Sequence, residues 1–162
     1  MRLGILIICA TISGSISALE LGVGAASSYD GRFVPSLNVL VEAHSDISVS
    51  GSSAGVATKA YYHNTYTLAG LQTLSMGNLF LGQVNLGFGL GMYYAKKAVN
   101  LDPLADGQDV VDHDTGFGPA FRLAIIPTEP VFVAFEYVMG LGIGAFGLGF
   151  GDTGSFSLGV RL

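Results

Sequence analysis

The chain has 162 residues, which is enough for one domain and hardly for two. Half of the residues are hydrophobic and only 12% are charged, whereas soluble domains carry roughly 25% charged residues. The formal net charge of −5 argues against a nucleic-acid partner, because nucleic acid selects basic surfaces. The composition favours a surface that faces lipid, or heavy self-association, over an ordinary solvated surface.

The first 17 residues predict a cleaved export signal. Arg2 supplies a positive start, residues 3–12 form an apolar stretch, and small residues follow up to Ser17. Cleavage after Ser17 or Ala18 would also remove Cys9, the single cysteine, and leave a mature chain without disulfides. An uncleaved anchor helix is the alternative, but the stretch is short and broken by Ser and Gly. We therefore predict a signal peptide over 1–17 and one barrel domain over 18–162.

Most of the remaining chain alternates hydrophobic residues with small or polar ones. In 84–94, for example, Leu86 and Phe88 alternate with Asn85, Gly87 and Gly89. Such alternation over segments of about ten residues is typical of transmembrane β-strands. A soluble β-fold also alternates, but here the second face is mostly Gly, Ala and Ser. That face would make a poor solvated exterior and suits the interior of a narrow closed barrel.

Residues 131–150 form the one window that suggests a transmembrane helix instead. A helix seam of small residues from Gly140 to Gly144 would explain two of its glycines. Each glycine costs about 1 kcal/mol in a helix interior relative to Ala. The window contains five of them, which favours strands: Gly140, Gly142, Gly144, Gly147 and Gly149.

Turn-forming residues divide the mature chain into eight predicted strands. The breaks fall at 30–31, 44–46, 63–65, 75–78, 100–115, 127–130 and 151–154. The predicted strands are 19–28, 32–44, 47–62, 65–75, 79–97, 115–126, 131–149 and 155–162. A slip in the alternation between Ile143 and Phe146 is interpreted as a bulge, because a hairpin there would spoil the even count.

An even number of strands lets a barrel close with no free edge and with both termini on one side. The predicted fold is therefore all-β: an eight-stranded antiparallel up-and-down transmembrane β-barrel.

Alternation sends five charged side chains to the inner face of this barrel. Arg122 and Glu136 flank one short turn, and the other three lie near the inner ends of their strands, so all five are expected in the periplasmic half. Buried charges are tolerable only when paired. We predict an Arg–Glu network that closes the bore, with a gated ion path as the alternative. Its members are Glu20, Glu42, Arg122, Glu136 and Arg161.

Aromatic residues near the predicted strand ends suggest two girdles at the membrane interfaces. Lys96 and Lys97 emerge beside the outer girdle, where they would meet lipid phosphates or water. The outer girdle is predicted to contain Tyr61, Tyr62, Tyr66, Tyr93 and Tyr94, and the inner one Phe80 and Phe132.

The last predicted strand carries Phe156, Leu158, Val160 and Leu162 at alternating positions. This spacing resembles the terminal assembly signal of bacterial outer-membrane proteins, although Leu162 stands where that signal usually has Phe. With its export signal, size and strand count, the chain resembles the small barrels of the OmpA, OmpX and OmpW type. The resemblance implies the outer membrane of a diderm bacterium, with membrane lipid and the outer-membrane assembly machinery as partners.

The acidic connection around residues 98–115 is the only chemical cluster in the sequence. Its acids do not follow the spacing of an EF-hand loop. We therefore expect no metal and no cofactor, and treat the connection as a possible contact for a surface ligand. The cluster comprises Asp102, Asp106, Asp109, Asp112, His113 and Asp114.

Three functions are compatible with these features. The first is a non-enzymatic barrel that supports envelope integrity or surface interaction. The second, allowed by the OmpW-type resemblance and the lumen-facing glycines, is a narrow channel for small apolar solutes. The third is a lipid-modifying enzyme, but His44, His63 and His113 have no evident catalytic neighbourhood in the sequence.

Overall fold

A computed structural model describes residues 16–27, 33–44, 47–57, 61–100, 109–144 and 147–162. The signal peptide predicted over 1–17 lies almost entirely outside these residues. In the part of the chain that is described, no helix is long and apolar enough to cross a bilayer.

Eight strands form one closed sheet in chain order, each antiparallel to the next, and β1 pairs with β8 to close it. This confirms the predicted eight-stranded antiparallel barrel. The strands are β1 (Ala18–Ser27), β2 (Phe33–His44), β3 (Ile47–Ala57), β4 (Tyr61–Leu79), β5 (Gly82–Asn100), β6 (Asp109–Thr128), β7 (Val131–Gly144) and β8 (Gly147–Arg161).

Both ends of the strand circuit, where β1 begins and β8 ends, lie at one end of the barrel, here called the inner end. The connections at 45–46, 80–81 and 129–130 follow strands that run toward this end. The opposite, outer end receives the connections 28–32, 58–60, 101–108 and 145–146. Short turns on the inner side and longer loops on the outer side are usual for outer-membrane barrels.

Three predicted turns are wrong because strand pairing overrides their local turn chemistry. His63–Thr65 lies inside β4, where it pairs with β3 and β5. Ser75–Asn78 is also inside β4 and forms a bulge, with Gly77 at a φ of +80°, so the actual turn is at Phe80–Leu81. Gly151–Gly154 is inside β8 and pairs with β7.

The slip between Ile143 and Phe146 marks the connection between β7 and β8, so its interpretation as a bulge is wrong. The number of strands is still eight, because the residues of the turn predicted at 151–154 lie within β8. The acidic connection is also shorter than predicted. β5 and β6 remain paired up to Asn100 and Asp109, which leaves residues 101–108 between them, outside the described part of the chain.

The two faces of the wall differ as a transmembrane barrel requires. Small and polar side chains such as Ala120, Ala124 and Ser48 point into the bore and are fully buried. Large apolar side chains such as Leu37 and Leu141 point outward and are exposed. Because an apolar outer wall is stable only against hydrocarbon, the soluble β-fold alternative is excluded on physical grounds.

Candidate functional site

Glu20 lies at the centre of a charged cluster that crosses the bore near its inner end. Residues at even positions on β1 point inward, and Glu20 is 1% exposed. It pairs with Arg161 in the β1–β8 register. Arg161 Nη1 donates a hydrogen bond to Glu20 Oε1 over 3.2 Å, and Arg122 Nη2 donates to Glu20 Oε2.

Each arginine also contacts a second carboxylate. Arg161 Nη2 donates to Glu42 Oε2 over 2.7 Å, and Arg122 Nε lies 4.0 Å from Glu136 Oε2. The structure thus joins all five residues of the predicted network into one chain, from Glu42 on β2 to Glu136 on β7. We call this chain of five residues the plug.

The plug contains three carboxylates and two guanidinium groups, and four of its contacts are ion pairs. Burying such a network contributes little net stability, because desolvation offsets the Coulomb attraction. The network instead fixes the positions of Arg122 and Arg161 across the bore. Removing Glu20, the partner that both arginines share, would leave a buried charge poorly compensated.

Phe132 completes the closure. Its side chain is 2% exposed, and Arg122 Cζ lies 5.8 Å from the centroid of its ring, within the range of a cation–π contact. The prediction that Phe132 belongs to the inner girdle is therefore wrong. Its parity could have revealed this, because Phe132 is an even number of residues from the inward-facing Glu136.

The free space beside the plug is very small. A void of about 10 Å³ is bounded by Glu20, Arg122, Phe132 and Glu136, among others. This volume corresponds to about one water molecule.

A second constriction lies toward the outer end, around Tyr93. Its side chain is 3% exposed and packs with Leu71, Ala120 and Val138 inside the bore. The hydroxyl donates to Asp114 Oδ2 over 3.0 Å. The prediction that Tyr93 lies in the outer girdle is wrong for the same reason of parity.

The other aromatic residues expected at the interfaces lie at the ends of the wall or outside the description. Tyr62, Tyr66 and Tyr94 occupy outward positions near the outer end, and Phe80 is fully exposed in the inner β4–β5 turn. Tyr61 begins β4, but its side chain is outside the described part. The residues of the expected assembly signal all point outward and are exposed on β8 or just after it: Phe156, Leu158, Val160 and Leu162. Their role in assembly stays a prediction.

The two histidines whose side chains are described, His63 and His113, do not lie together in one site. His63 is buried inside the wall with Nε2 2.8 Å from Thr65 Oγ1, whereas His113 is exposed on the outer face. The side chain of His44 lies outside the description. Within the described ranges, no group of three His, Cys, Asp or Glu residues is arranged to hold a metal ion.

Comparison with solved structures finds similar barrels, whereas no family model and no curated protein matches the sequence. Ail, the attachment invasion locus protein of Yersinia pestis, in complex with the heparin analogue sucrose octasulfate, is 16% identical with a TM-score of 0.55. That match covers 90% of this chain and 98% of Ail. Neisserial surface protein A is also 16% identical, with a TM-score of 0.46, and the match covers 90% of this chain and 94% of that one. The match to Ail confirms the expected resemblance at the level of fold: the chain has the architecture of the small bacterial outer-membrane barrels.

Proposed function

We propose that the chain is a non-enzymatic outer-membrane barrel whose bore is closed and whose outer connections contact a ligand at the cell surface. The observation that carries the proposal is the plug. Arg122, Phe132, Glu20 and Glu136 all border a void of about 10 Å³, and ion pairs with Glu20 hold Arg122 and Arg161 across the bore. An apolar outer wall and a sealed interior suit a protein that acts through its ends.

Two lumen-facing glycines, Gly87 and Gly116, do not favour the alternative of a channel for apolar solutes, because large side chains occupy the room they leave. A Cβ on Gly87 would lie 3.3 Å from Arg122 Cβ, and a Cβ on Gly116 would overlap the ring of Tyr93. Gly87 and Gly116 are thus explained by the packing of Arg122 and Tyr93.

The closed bore predicts that the refolded protein gives no single-channel events in planar bilayers. Replacing Arg122, Phe132 and Tyr93 together with Ala removes the largest groups of both constrictions and should produce a measurable ion leak. The triply substituted barrel must still show heat-modifiable migration on gels, which reports closure of the sheet. Steady conductance of the unsubstituted protein, or uptake of an apolar solute by liposomes containing it, would contradict the proposal.

The charge of the outer end indicates which surface ligands to expect. Ail was solved with a sulfated polyanion, but this chain has 12 acidic residues against seven Lys and Arg. Its acids cluster between Asp102 and Asp114. Because like charges repel, we propose a neutral or basic ligand that contacts the connection at residues 98–115.

Surface plasmon resonance on the barrel in nanodiscs checks this at physiological ionic strength. We expect a basic polypeptide such as polylysine to bind and heparin not to bind. Replacing Asp102, Asp106 and Asp109 with Asn should weaken polylysine binding. Tight heparin binding, or polylysine binding that is unchanged in the Asn variant, would rule out this choice of ligand.

A further inference from the structure

A polar cluster lies on the outer face of the wall near the outer end, away from the plug. Asn64, Lys96 and His113 are neighbours across β4, β5 and β6 in the strand register. Three tyrosines surround them at outward positions on the same strands. We call this set the rim cluster, and it consists of Tyr62, Asn64, Tyr66, Tyr94, Lys96 and His113.

Contacts within the rim cluster hold Asn64 and the tyrosines against the wall. Asn64 Nδ2 donates to the hydroxyl of Tyr62 and, over 3.3 Å, to that of Tyr66. The rings of Tyr66 and Tyr94 stack with their centroids 6.5 Å apart.

The two basic side chains are fixed by the tyrosines as well. Lys96 Nζ lies 6.0 Å from the centroid of the Tyr62 ring. The Tyr94 hydroxyl is 3.0 Å from His113 Nδ1, which leaves Nε2 for a further partner. The nearby carboxylate of Asp114 is on the inner face, where it accepts the hydrogen bond from Tyr93.

An apolar groove of about 470 Å³ begins directly below the rim cluster on the same strands. Tyr66 and Tyr94 form its upper edge. Its volume falls within the range of about 300–1,000 Å³ found for ligand pockets. The lining residues that point outward include Leu68, Met92, Phe117 and Leu141, and each of them is exposed.

We propose that the groove and the rim cluster together bind one acylated, phosphate-bearing lipid of the outer leaflet. An acyl chain would lie in the groove, and the phosphate would contact Lys96 and His113. The inference rests on the proposed outer-membrane location but is independent of the closed bore.

Charge complementarity selects this occupant. The mature chain is acidic overall, yet this part of the wall presents a lysine and an imidazole next to an apolar groove. Basic side chains at an interface are stabilised by lipid phosphates, and tyrosines favour the same depth. A protein partner would not need the combination of an apolar groove for an acyl chain with a cation at one end of it.

Native mass spectrometry of the full mature chain, refolded in detergent micelles, tests the proposal with lipid A in phosphorylated and dephosphorylated forms. We expect one molecule of the phosphorylated form per barrel. Lys96→Gln should weaken its binding about tenfold, because a charge-assisted contact is lost, whereas Lys96→Arg should retain it.

A matched pair of substitutions tests the groove. Leu141 and Leu37 are both 62% exposed on the outer face, but only Leu141 lines the groove. Leu141→Trp should fill the groove and weaken lipid binding about tenfold, while Leu37→Trp should leave it unchanged. Heat-modifiable migration verifies that every variant is folded.

Several results would overturn the inference. Equal binding of the two forms of lipid A would remove the role of the phosphate. Equal affinity of the two Trp variants would reduce the groove to an ordinary annular contact. Full competition by inorganic phosphate would point to an anion site instead of a lipid site. Conductance measurements have no bearing on these outcomes, so a failure here is separable from a failure of the closed barrel.

Discussion

Glu20→Gln is expected to lower the free energy of unfolding by about 3–5 kcal/mol. Glu20 is 1% exposed and accepts hydrogen bonds from both Arg122 and Arg161. Glutamine keeps the shape of the side chain but removes the charge that the two guanidinium groups share. The carboxylate left to Arg122 would then be that of Glu136, 4.0 Å away, beside a void with the volume of about one water molecule.

This loss is measured by urea unfolding of the barrel in lipid vesicles, with heat-modifiable migration on gels as the readout of the folded fraction. Glu129→Gln is the matched control, because Glu129 is exposed in the β6–β7 turn, and it should change stability by less than about 0.5 kcal/mol. Glu20→Gln combined with Arg122→Met removes both members of one pair and should recover part of the loss. If Glu20→Gln alone lowered the free energy of unfolding by less than about 1 kcal/mol, the plug would be solvated or rearranged.

The plug could be predicted from the sequence because it depends mainly on strand parity. Arg122 and Glu136 fall on the inner face wherever the exact ends of their strands lie, because the alternation alone decides which face a residue occupies. Tyr93 and Phe132 differ from the prediction because their nearness to a strand end suggests a girdle, whereas the alternation places both inside. Their burial at 3% and 2% exposure follows from that same alternation.

The strand boundaries were harder to predict because turn chemistry is local and strand pairing is not. Gly77 has the positive φ of a turn residue, yet it lies in a bulge within β4. Gly151–Gly154 reads as a tight turn, but β7 lies opposite with small residues of its own, such as Gly140. The long-range partner decides such cases.

The rim cluster and its groove can be predicted only with the register between neighbouring strands, which the alternation does not provide. Asn64, Lys96 and His113 are far apart in the sequence, and the pairing of β4, β5 and β6 brings them into one row. The alternation predicts that these three residues point outward, but it does not predict which residues on other strands lie beside them. The depth of the groove likewise depends on how Leu68 and Leu141 are arranged around the wall.

Gly24→Ala is expected to prevent closure of the barrel, or to cost at least about 3 kcal/mol, the upper part of the range for overpacking. Gly24 pairs with Ser157 across the seam between β1 and β8, where the first and last strands meet. A Cβ at this position would overlap the backbone carbonyl of Phe156. A backbone atom cannot rotate away as a side chain can, so the strands would have to separate at the only pairing that joins the two ends of the sheet.

Gly70→Ala is the matched control, since no atom lies within 4 Å of a Cβ built on Gly70. That variant should fold normally, with a change in stability within about 0.5 kcal/mol. The yield of heat-modifiable barrel after refolding, followed by urea unfolding of whatever folds, measures both substitutions. Equal yields and stabilities for the two variants would show that the β1–β8 seam tolerates wider strand separation than this register implies. A selective failure of Gly24→Ala would instead identify backbone contact at the seam as a requirement for closing the sheet.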